Sequence, residues 1–176
     1  MSGLVSVLVL LFLFIAVMLT MLAESLISRR HERTLRRRGA VEPPGDVYAT
    51  MLWAYPGAFV TMALEGMLLG APARRMVLTG ALLMLTAKML KWWAMTSLGE
   101  RWTFRVLVVP GAPLVTRGPY AFLRHPNYIA VVGELVAMAL MMGARISGPV
   151  STLLFSWLMW RRTRVEERAL RHPTCT

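Results

Sequence analysis

The sequence contains almost none of the residues on which disulfide-bonded and metal-binding proteins depend. Its one cysteine, Cys175, excludes an intrachain disulfide, and as the second residue from the end it does not fit the four-residue prenylation ending. Its three histidines, His31, His125 and His172, stand in unrelated contexts without the spacing of a zinc site. The sequence also lacks a phosphate-binding glycine loop and a nucleophile elbow. We therefore expect no metal site, no phosphate binding by a glycine loop and no nucleophilic catalysis from such an elbow.

Acidic residues are also scarce, and charge as a whole is low for a soluble protein. Nine Asp and Glu stand against 20 Lys and Arg, and only 16% of residues are charged while 56% are hydrophobic. A soluble domain of this length needs a more charged surface. The arginines cluster within residues 29–38 and 161–171, each time directly after an apolar run. Nucleic-acid binding is one interpretation, but the excess of basic residues in cytoplasmic loops of membrane proteins explains both clusters, so we expect no nucleic-acid partner.

Five apolar runs alternate with polar connections. They cover about residues 3–28, 49–69, 76–97, 128–142 and 149–160, and the last two are short. No basic residue precedes the first run, and it exceeds the roughly 20 residues that span a bilayer, so we interpret it as a retained helix rather than a signal peptide. The pattern predicts an all-α integral membrane protein with five transmembrane helices, the last two forming a helical hairpin. The basic residues place the N-terminus outside and residues 28–48, 98–127 and the C-terminal tail in the cytoplasm.

Several charged residues fall within these runs. We expect Glu24 to reach the interface or to pair with an arginine, and Glu65 to be either interfacial or held by a partner. Lys88 and Lys91 stand beside two tryptophans, which is typical of a helix that reaches the cytoplasmic interface.

A polar and aromatic stretch, residues 117–128, interrupts the apolar sequence between the third and fourth runs. Just before it, residues 104–109 have a strand-like pattern and lead into a Pro-Gly turn. Within it, His125 suits an N-cap and Pro126 suits the first turn of the fourth helix. Taken alone, a single histidine at such a boundary is more often structural than catalytic.

The C-terminal tail is predicted to be a separate polar helix. Arg162 and Glu166 are four residues apart and share one face of it, so an exposed ion pair between them is the default expectation, while Glu167 points elsewhere. Because this tail and residues 98–127 flank one hairpin, they meet on the cytoplasmic side. There they form a cleft suited to a polar cofactor and a lipid-phase substrate.

Three motifs in this part of the chain occur at a specific spacing. They are Gly118-Pro119-Tyr120, then Arg124-His125-Pro126-Asn127-Tyr128, then Arg162 with Glu166-Glu167 after the hairpin. Together they resemble the isoprenylcysteine carboxyl methyltransferase family, whose members are integral-membrane enzymes that use S-adenosylmethionine. The resemblance covers roughly residues 76–171, and it implies a catalytic core in residues 76–176 preceded by two helices and a basic loop in residues 1–75.

The resemblance also implies roles for individual residues. It assigns Arg162 to catalysis and to the substrate, and we add Glu134, within the fourth helix, as a candidate for the lipid-side pocket, although helix packing or an ion pair explains it equally well. It assigns S-adenosylmethionine to Pro113, Leu114, Val115, Tyr120, His125, Pro126, Asn127, Tyr128 and Glu166. A carboxylate accepts hydrogen bonds from the cofactor, aromatic faces attract its sulfonium, and an arginine orients an anionic oxygen for attack on the methyl group.

The methyl acceptor is less tightly defined than the cofactor. Two segments, residues 99–103 and 110–115, resemble the small bacterial branch that O-methylates alkylpyrones and alkylresorcinols, which implies a lipophilic oxygen acceptor and a bacterial inner or plasma membrane. A prenylcysteine-like carboxylate is a second acceptor of the same class. Phospholipid N-methylation is an alternative, although Arg162 has the wrong charge beside an amine. A non-catalytic scaffold that binds anionic membrane lipids is an alternative of another class.

Overall fold

Five long helices make up the part of the chain that the structure describes. The computed structural model describes residues 2–70 and 72–171, with side chains described over 7–70 and 72–169. The helices are α1 Ser2–Arg37, α2 Tyr48–Leu69, α3 Arg74–Leu98, α4 Pro126–Met142 and α5 Ser147–Arg171, and short 3-10 turns cover Gly99–Arg101 and Gly118–Ala121. The predicted all-α class is confirmed, and each of the five apolar runs lies in one of these five helices. Cys175 and His172 lie outside the described residues.

The strand-like pattern of residues 104–109 does not produce a strand. Over the described residues, the segment makes a single isolated bridge between Val108 and Val41. Two of its other backbone N–H groups are bonded to side chains, Phe104 to the Ser28 hydroxyl and Val106 to the Asp46 carboxylate. The β-propensity is overridden because side chains, rather than a second strand, satisfy the backbone.

Two helices extend beyond the predicted boundaries. α1 continues through its basic flank to Arg37 and finishes just before Gly39, whose φ of 79° ends the helical path. α5 is continuous from Ser147 to Arg171, so the predicted separate tail helix is the last part of α5. Arg, Glu, Leu and Ala are strong helix formers, and no proline or glycine separates the apolar from the basic part in either case.

The outer surface of the bundle is apolar. Val7–Arg37 and Tyr48–Leu69 are long and apolar enough to cross a membrane, and Pro126–Met142 is a shorter apolar helix. Large side chains on the outside of the helices are strongly exposed, among them Phe12 at 70%, Leu68 at 87% and Leu153 at 72%. Such a surface suits lipid and would be unstable in water.

The core lies between α2, α3, α4 and α5, and α1 contributes Val17 to it. α3 and α4 pack most closely, because Gly80 lets them approach: a Cβ at that position would lie 2.8 Å from the Ala137 carbonyl oxygen. The tight turn before α5 uses Gly143, which is left-handed with φ 68° and packs against Pro72. α4 and α5 thus form the expected hairpin. At the same end, Glu65 accepts hydrogen bonds from Ile146 N at 2.9 Å and Ser147 N at 2.7 Å, so it has a partner and caps α5.

A buried cluster of charges joins α1 to α3 and α4. Lys91 is 2% exposed, and its Nζ lies 2.6 Å from Glu24 and 3.3 Å from Glu134, both of which are also buried. Lys88 completes it at 2.7 Å from Glu24 and 3.3 Å from Glu134, and Tyr55 donates its hydroxyl proton to Glu134. The interfacial interpretation of Lys91 is therefore wrong, and the partners of Glu24 are lysines rather than an arginine. The acids and bases balance, which is how charges are tolerated in an apolar interior.

Lys91→Met should destabilise the fold by roughly 3–5 kcal/mol, because it leaves two buried carboxylates with one lysine. The double variant Lys91→Met/Glu134→Gln should recover much of this loss, since it restores charge balance and keeps an acceptor for Tyr55. Thermal unfolding of the purified protein in detergent measures both. Arg38→Met, which breaks an exposed pair with Glu100, is the control and should change little. Equal destabilisation by the single and double variants would show that charge balance is not the cause.

Candidate active site

One cavity lies at the end of the bundle where α1, α3 and α5 finish and α2 and α4 begin; we call this the arginine-rich end. Its volume is about 820 Å³, within the range of roughly 300–1,000 Å³ typical of small-molecule sites. All five helices contribute to its wall, together with residues 101–109 and 112–116. The cavity has a polar part and an apolar part.

The polar part is built where the start of α4 faces the last turns of α5. The rings of His125 and Tyr128 stack with centroids 5.3 Å apart and planes 5° from parallel. The Tyr128 hydroxyl donates to Glu166 at 2.8 Å. His125 Nδ1 lies 3.8 Å from Glu166 and Nε2 3.6 Å from Glu167. Contrary to the prediction, Glu167 points into the site as Glu166 does, because His125 lies within reach of both.

Local sequence explains the shape of this part. Gly118 has φ 61°, and a Cβ there would clash with the Ser97 side chain, so only glycine lets the chain pass this close to α3. Pro126 begins α4, and His125 occupies the N-cap position without a side-chain capping bond. The histidine ring is therefore directed to Tyr128 and α5 instead of to its own helix.

Arg162 lies at the junction of the two parts and is only 6% exposed. Its Nε donates to the Tyr128 hydroxyl at 3.2 Å, and its Nη1 lies 3.8 Å from Asp46 Oδ1. The side chains of Arg162 and Glu166 are both described, and they do not form a salt bridge with each other. The default expectation of an ion pair between them is therefore wrong. The Tyr128 hydroxyl accepts from Arg162 and donates to Glu166, which links the two without direct contact.

The apolar part is lined mainly by methionine, leucine and aromatic side chains. Its wall comes from α1, α2, α4 and α5, through Met18, Met21, Leu22, Met51, Leu52, Tyr55, Val131, Phe155 and Met159. Methionine is flexible and polarisable, so such a wall adapts to apolar ligands of different shapes. Tyr55 and Lys91 bring the buried charge cluster to the edge of this part.

The first helix and the α1–α2 connection hold the wall segment 101–109 in place. His31 Nδ1 donates to the Trp102 carbonyl at 2.9 Å, and the Trp102 indole in turn donates to Asn127 Oδ1 at 3.3 Å. Arg105 lies 2.7 Å from Glu42. Partial burial would raise the pKa of Glu42, but hydrogen bonds and charge from Arg105 and Arg36 lower it overall. Glu42 therefore remains charged, and keeps its ion pair with Arg105, at pH values below the usual pKa of a glutamate.

Tyr120 stands beside the same acidic group as Tyr128. Burial, and after it the charge of Glu166, raise the pKa of the Tyr120 phenol well above its usual value. The residue therefore remains a neutral hydrogen-bonding group at physiological pH and does not act as a base.

Most of the sequence-predicted site residues lie together in this cavity. Its wall includes Pro113, Leu114, Val115, Tyr120, His125, Asn127, Tyr128, Arg162 and Glu166. Pro126 is buried at the start of α4 and Glu134 is buried in the charge cluster, so neither forms part of the wall. Over residues 7–70 and 72–169 no group of three side chains is placed to hold a metal ion. The individual ligand roles of these residues stay predictions.

Sequence reasoning missed the residues that α1, α2 and their connection add to the site. Met18, Met21 and Met51 belong to runs that are apolar throughout, so nothing distinguishes the side that faces the cavity. Asp46 sits in a turn-forming segment, where an aspartate is ordinary. Only an account of which helices are neighbours could have found them.

Comparison with known proteins gives a consistent result. The sequence profile of the isoprenylcysteine carboxyl methyltransferase (ICMT) family matches residues 79–172. The chain is 30% identical over 148 residues to the uncharacterized protein YpbQ of Bacillus subtilis, covering 84% of this chain and 88% of that protein. It is 25% identical over 148 residues to an uncharacterized protein of Haemophilus influenzae, covering 83% of this chain and 86% of the other.

Proposed function

This chain belongs to the isoprenylcysteine carboxyl methyltransferase family and is therefore a membrane methyltransferase, and we propose that it transfers a methyl group from S-adenosylmethionine to an oxygen of a lipophilic acceptor. One observation carries the proposal: a single cavity joins the polar residues around Glu166 to an apolar wall built from α1, α2, α4 and α5. A polar cofactor needs the polar part of the cavity and an apolar acceptor needs the apolar part. Methyl transfer requires the cofactor and the acceptor to be in contact.

The donor set of the polar part fits S-adenosylmethionine. Glu166 offers carboxylate oxygens to hydroxyl or amino groups, and the stacked pair of His125 and Tyr128 offers aromatic surface. Residues 113–115 and Tyr120 complete the wall on the other side. When bound, the cofactor supplies an electrophilic methyl group on a sulfonium, a cation that aromatic faces attract.

Arg162 is placed to bind and orient the acceptor. Its guanidinium is buried, and Tyr128 and Asp46 fix its position, so it presents a preorganised positive charge at the boundary of the two parts. Such a charge favours the anionic form of a carboxylic acid, phenol or enol and holds the oxygen in one orientation. An acceptor that binds as the anion has already released its proton to water, so no general base is needed, and the contribution of the protein is proximity, orientation and exclusion of water.

The apolar part supports an acceptor with a hydrocarbon chain. A methionine-rich wall accommodates either an alkyl or a prenyl chain, which fits an alkylpyrone or a prenylcysteine-like molecule. Phospholipid N-methylation fits less well, because its amine nucleophile would lie beside the Arg162 cation. The non-catalytic scaffold gains no support from the cavity.

The arrangement in the membrane is part of the proposal. We place all five helices across a bacterial inner or plasma membrane, with the N-terminus outside and the arginine-rich end in the cytoplasm. The apolar exterior supports the membrane location and the bacterial relatives support a bacterial membrane. The excess of arginines at one end supports the orientation. The cofactor, a cytoplasmic metabolite, then reaches the polar part directly.

The cofactor assignment is tested by calorimetry with S-adenosylhomocysteine on the purified chain. We expect binding to the wild type and a loss of roughly tenfold or more in Glu166→Gln, since a charge-assisted hydrogen bond is worth about 1.5–3 kcal/mol. Glu100→Gln removes an exposed carboxylate that follows the end of α3, at the arginine-rich end, and should bind normally. A wild type without a binding site would refute the proposed function.

The acceptor class is tested by transfer of labelled methyl groups from S-adenosylmethionine. Alkylpyrones, prenylcysteines and phosphatidylethanolamine serve as the panel, and we expect label only in the oxygen acceptors. Arg162→Gln should lower kcat/KM by about a hundredfold, because it removes the group that orients the nucleophile. Arg161→Gln, its exposed neighbour on α5, is the matched control. Label confined to phosphatidylethanolamine would favour the N-methylation alternative.

The orientation is tested with reporters fused to the C-terminus in a bacterial host. A green fluorescent protein fusion should fluoresce and an alkaline phosphatase fusion should be inactive, because the former requires the cytoplasm and the latter the periplasm. The opposite pair of results would reverse the proposed topology.

A further inference from the structure

Arg162 and Glu166 lie one helical turn apart on α5, and such residues ordinarily attract each other. In the structure Arg162 turns away from Glu166 and towards the α1–α2 connection. Its Nη1 lies 3.8 Å from Asp46, and its Nε is bonded to Tyr128. Neither helical spacing nor family membership accounts for this choice of partner.

Asp46 is firmly held where it stands. Its side chain is only 4% exposed. Oδ2 accepts a hydrogen bond from Val106 N at 3.0 Å, and Oδ1 accepts one from Tyr48 N at 3.1 Å. Asp46 does not form part of the cavity wall, whereas Arg162 does. Any influence of Asp46 on a bound ligand therefore has to pass through Arg162 or through the wall segment around Val106.

Without Asp46, the surroundings of Arg162 would become unfavourable. A guanidinium that is 6% exposed needs a nearby counter-charge, because leaving a buried charge unpaired is costly. The carboxylate next within reach is Glu166, on the same face of the same helix. A pair between them would occupy the carboxylate that faces the polar part of the cavity and withdraw the cation from the apolar part.

We propose that Asp46 is a positioning residue that holds Arg162 away from Glu166. The proposal rests on the proposed function, which gives Glu166 to the cofactor and Arg162 to the acceptor. Asp46 keeps these two charges separate, so that each faces its own part of the cavity. A residue of the α1–α2 connection, outside the segment that matches the family, thus sets the charge arrangement of the site.

A double-mutant cycle tests this with S-adenosylhomocysteine as the probe and calorimetry as the measurement. The full chain is compared with Asp46→Asn, Arg162→Gln and the double variant. Asp46→Asn should weaken binding by about tenfold, a coupling typical of neighbouring charged groups, because the released Arg162 competes for Glu166. The double variant should bind several-fold more tightly than Asp46→Asn alone, since no guanidinium remains to compete.

Glu42→Gln is the matched control, because it removes a carboxylate from the same connection that contacts Arg105 and Arg36 instead. Its effect on binding should be the same whether or not the Arg162→Gln substitution is present. Asp46→Ser keeps an acceptor for the backbone but no charge, and it provides a second cycle if Asp46→Asn does not fold.

Each outcome decides a different question. If Asp46→Asn weakens binding equally in the wild-type chain and in the Arg162→Gln variant, Asp46 only holds the backbone of the wall, and the inference is overturned. Unchanged binding in Asp46→Asn would overturn it as well. A wild type that does not bind the probe would instead refute the proposed function itself.

Discussion

The buried ion pairs of Lys91 with Glu24 and Glu134 are the interaction on which the arrangement of the helices depends. The outward face of α1 is strongly apolar, and in a lipid environment an apolar face gains nothing by moving from lipid to another helix. A buried, balanced set of charges does provide a specific attachment. It fixes α1 at one depth and one rotation against α3 and α4, and the apolar wall of the cavity follows from that position.

The site itself is organised around one phenol. Tyr128 stacks on His125, donates to Glu166 and accepts from Arg162, so a single side chain at the start of α4 orients an imidazole, a carboxylate and a guanidinium. Such a site relies on fixed positions rather than on strongly basic or nucleophilic side chains. Chemistry that needs mainly proximity and orientation is suited to it.

The parts of the structure that the sequence predicted are those with a local cause. Helices follow from long apolar runs, the hairpin from Gly143 between two of them, and the start of α4 from Pro126. The motifs around His125 and Glu166 also identified the polar side chains that meet between the start of α4 and the last turns of α5. Two errors arose where the cause is distant: Lys91 was taken as interfacial and residues 104–109 as strand-like, because they have partners in α1 and the α1–α2 connection.

The sequence by itself determined that this is an all-α protein with an apolar exterior. It indicated a methyltransferase family through three motifs, of which the first two are adjacent and the third follows one helical hairpin later. Tertiary structure alone decided that Lys91 is buried, that Glu167 joins Glu166 beside His125, and that Arg162 pairs with Asp46 instead of with Glu166. The physical reason is that a buried charge takes its counter-charge from whichever segment of the chain lies beside it, whether helix or connection. Spacing along one helix shows which residues share a face, but it does not show what that face meets.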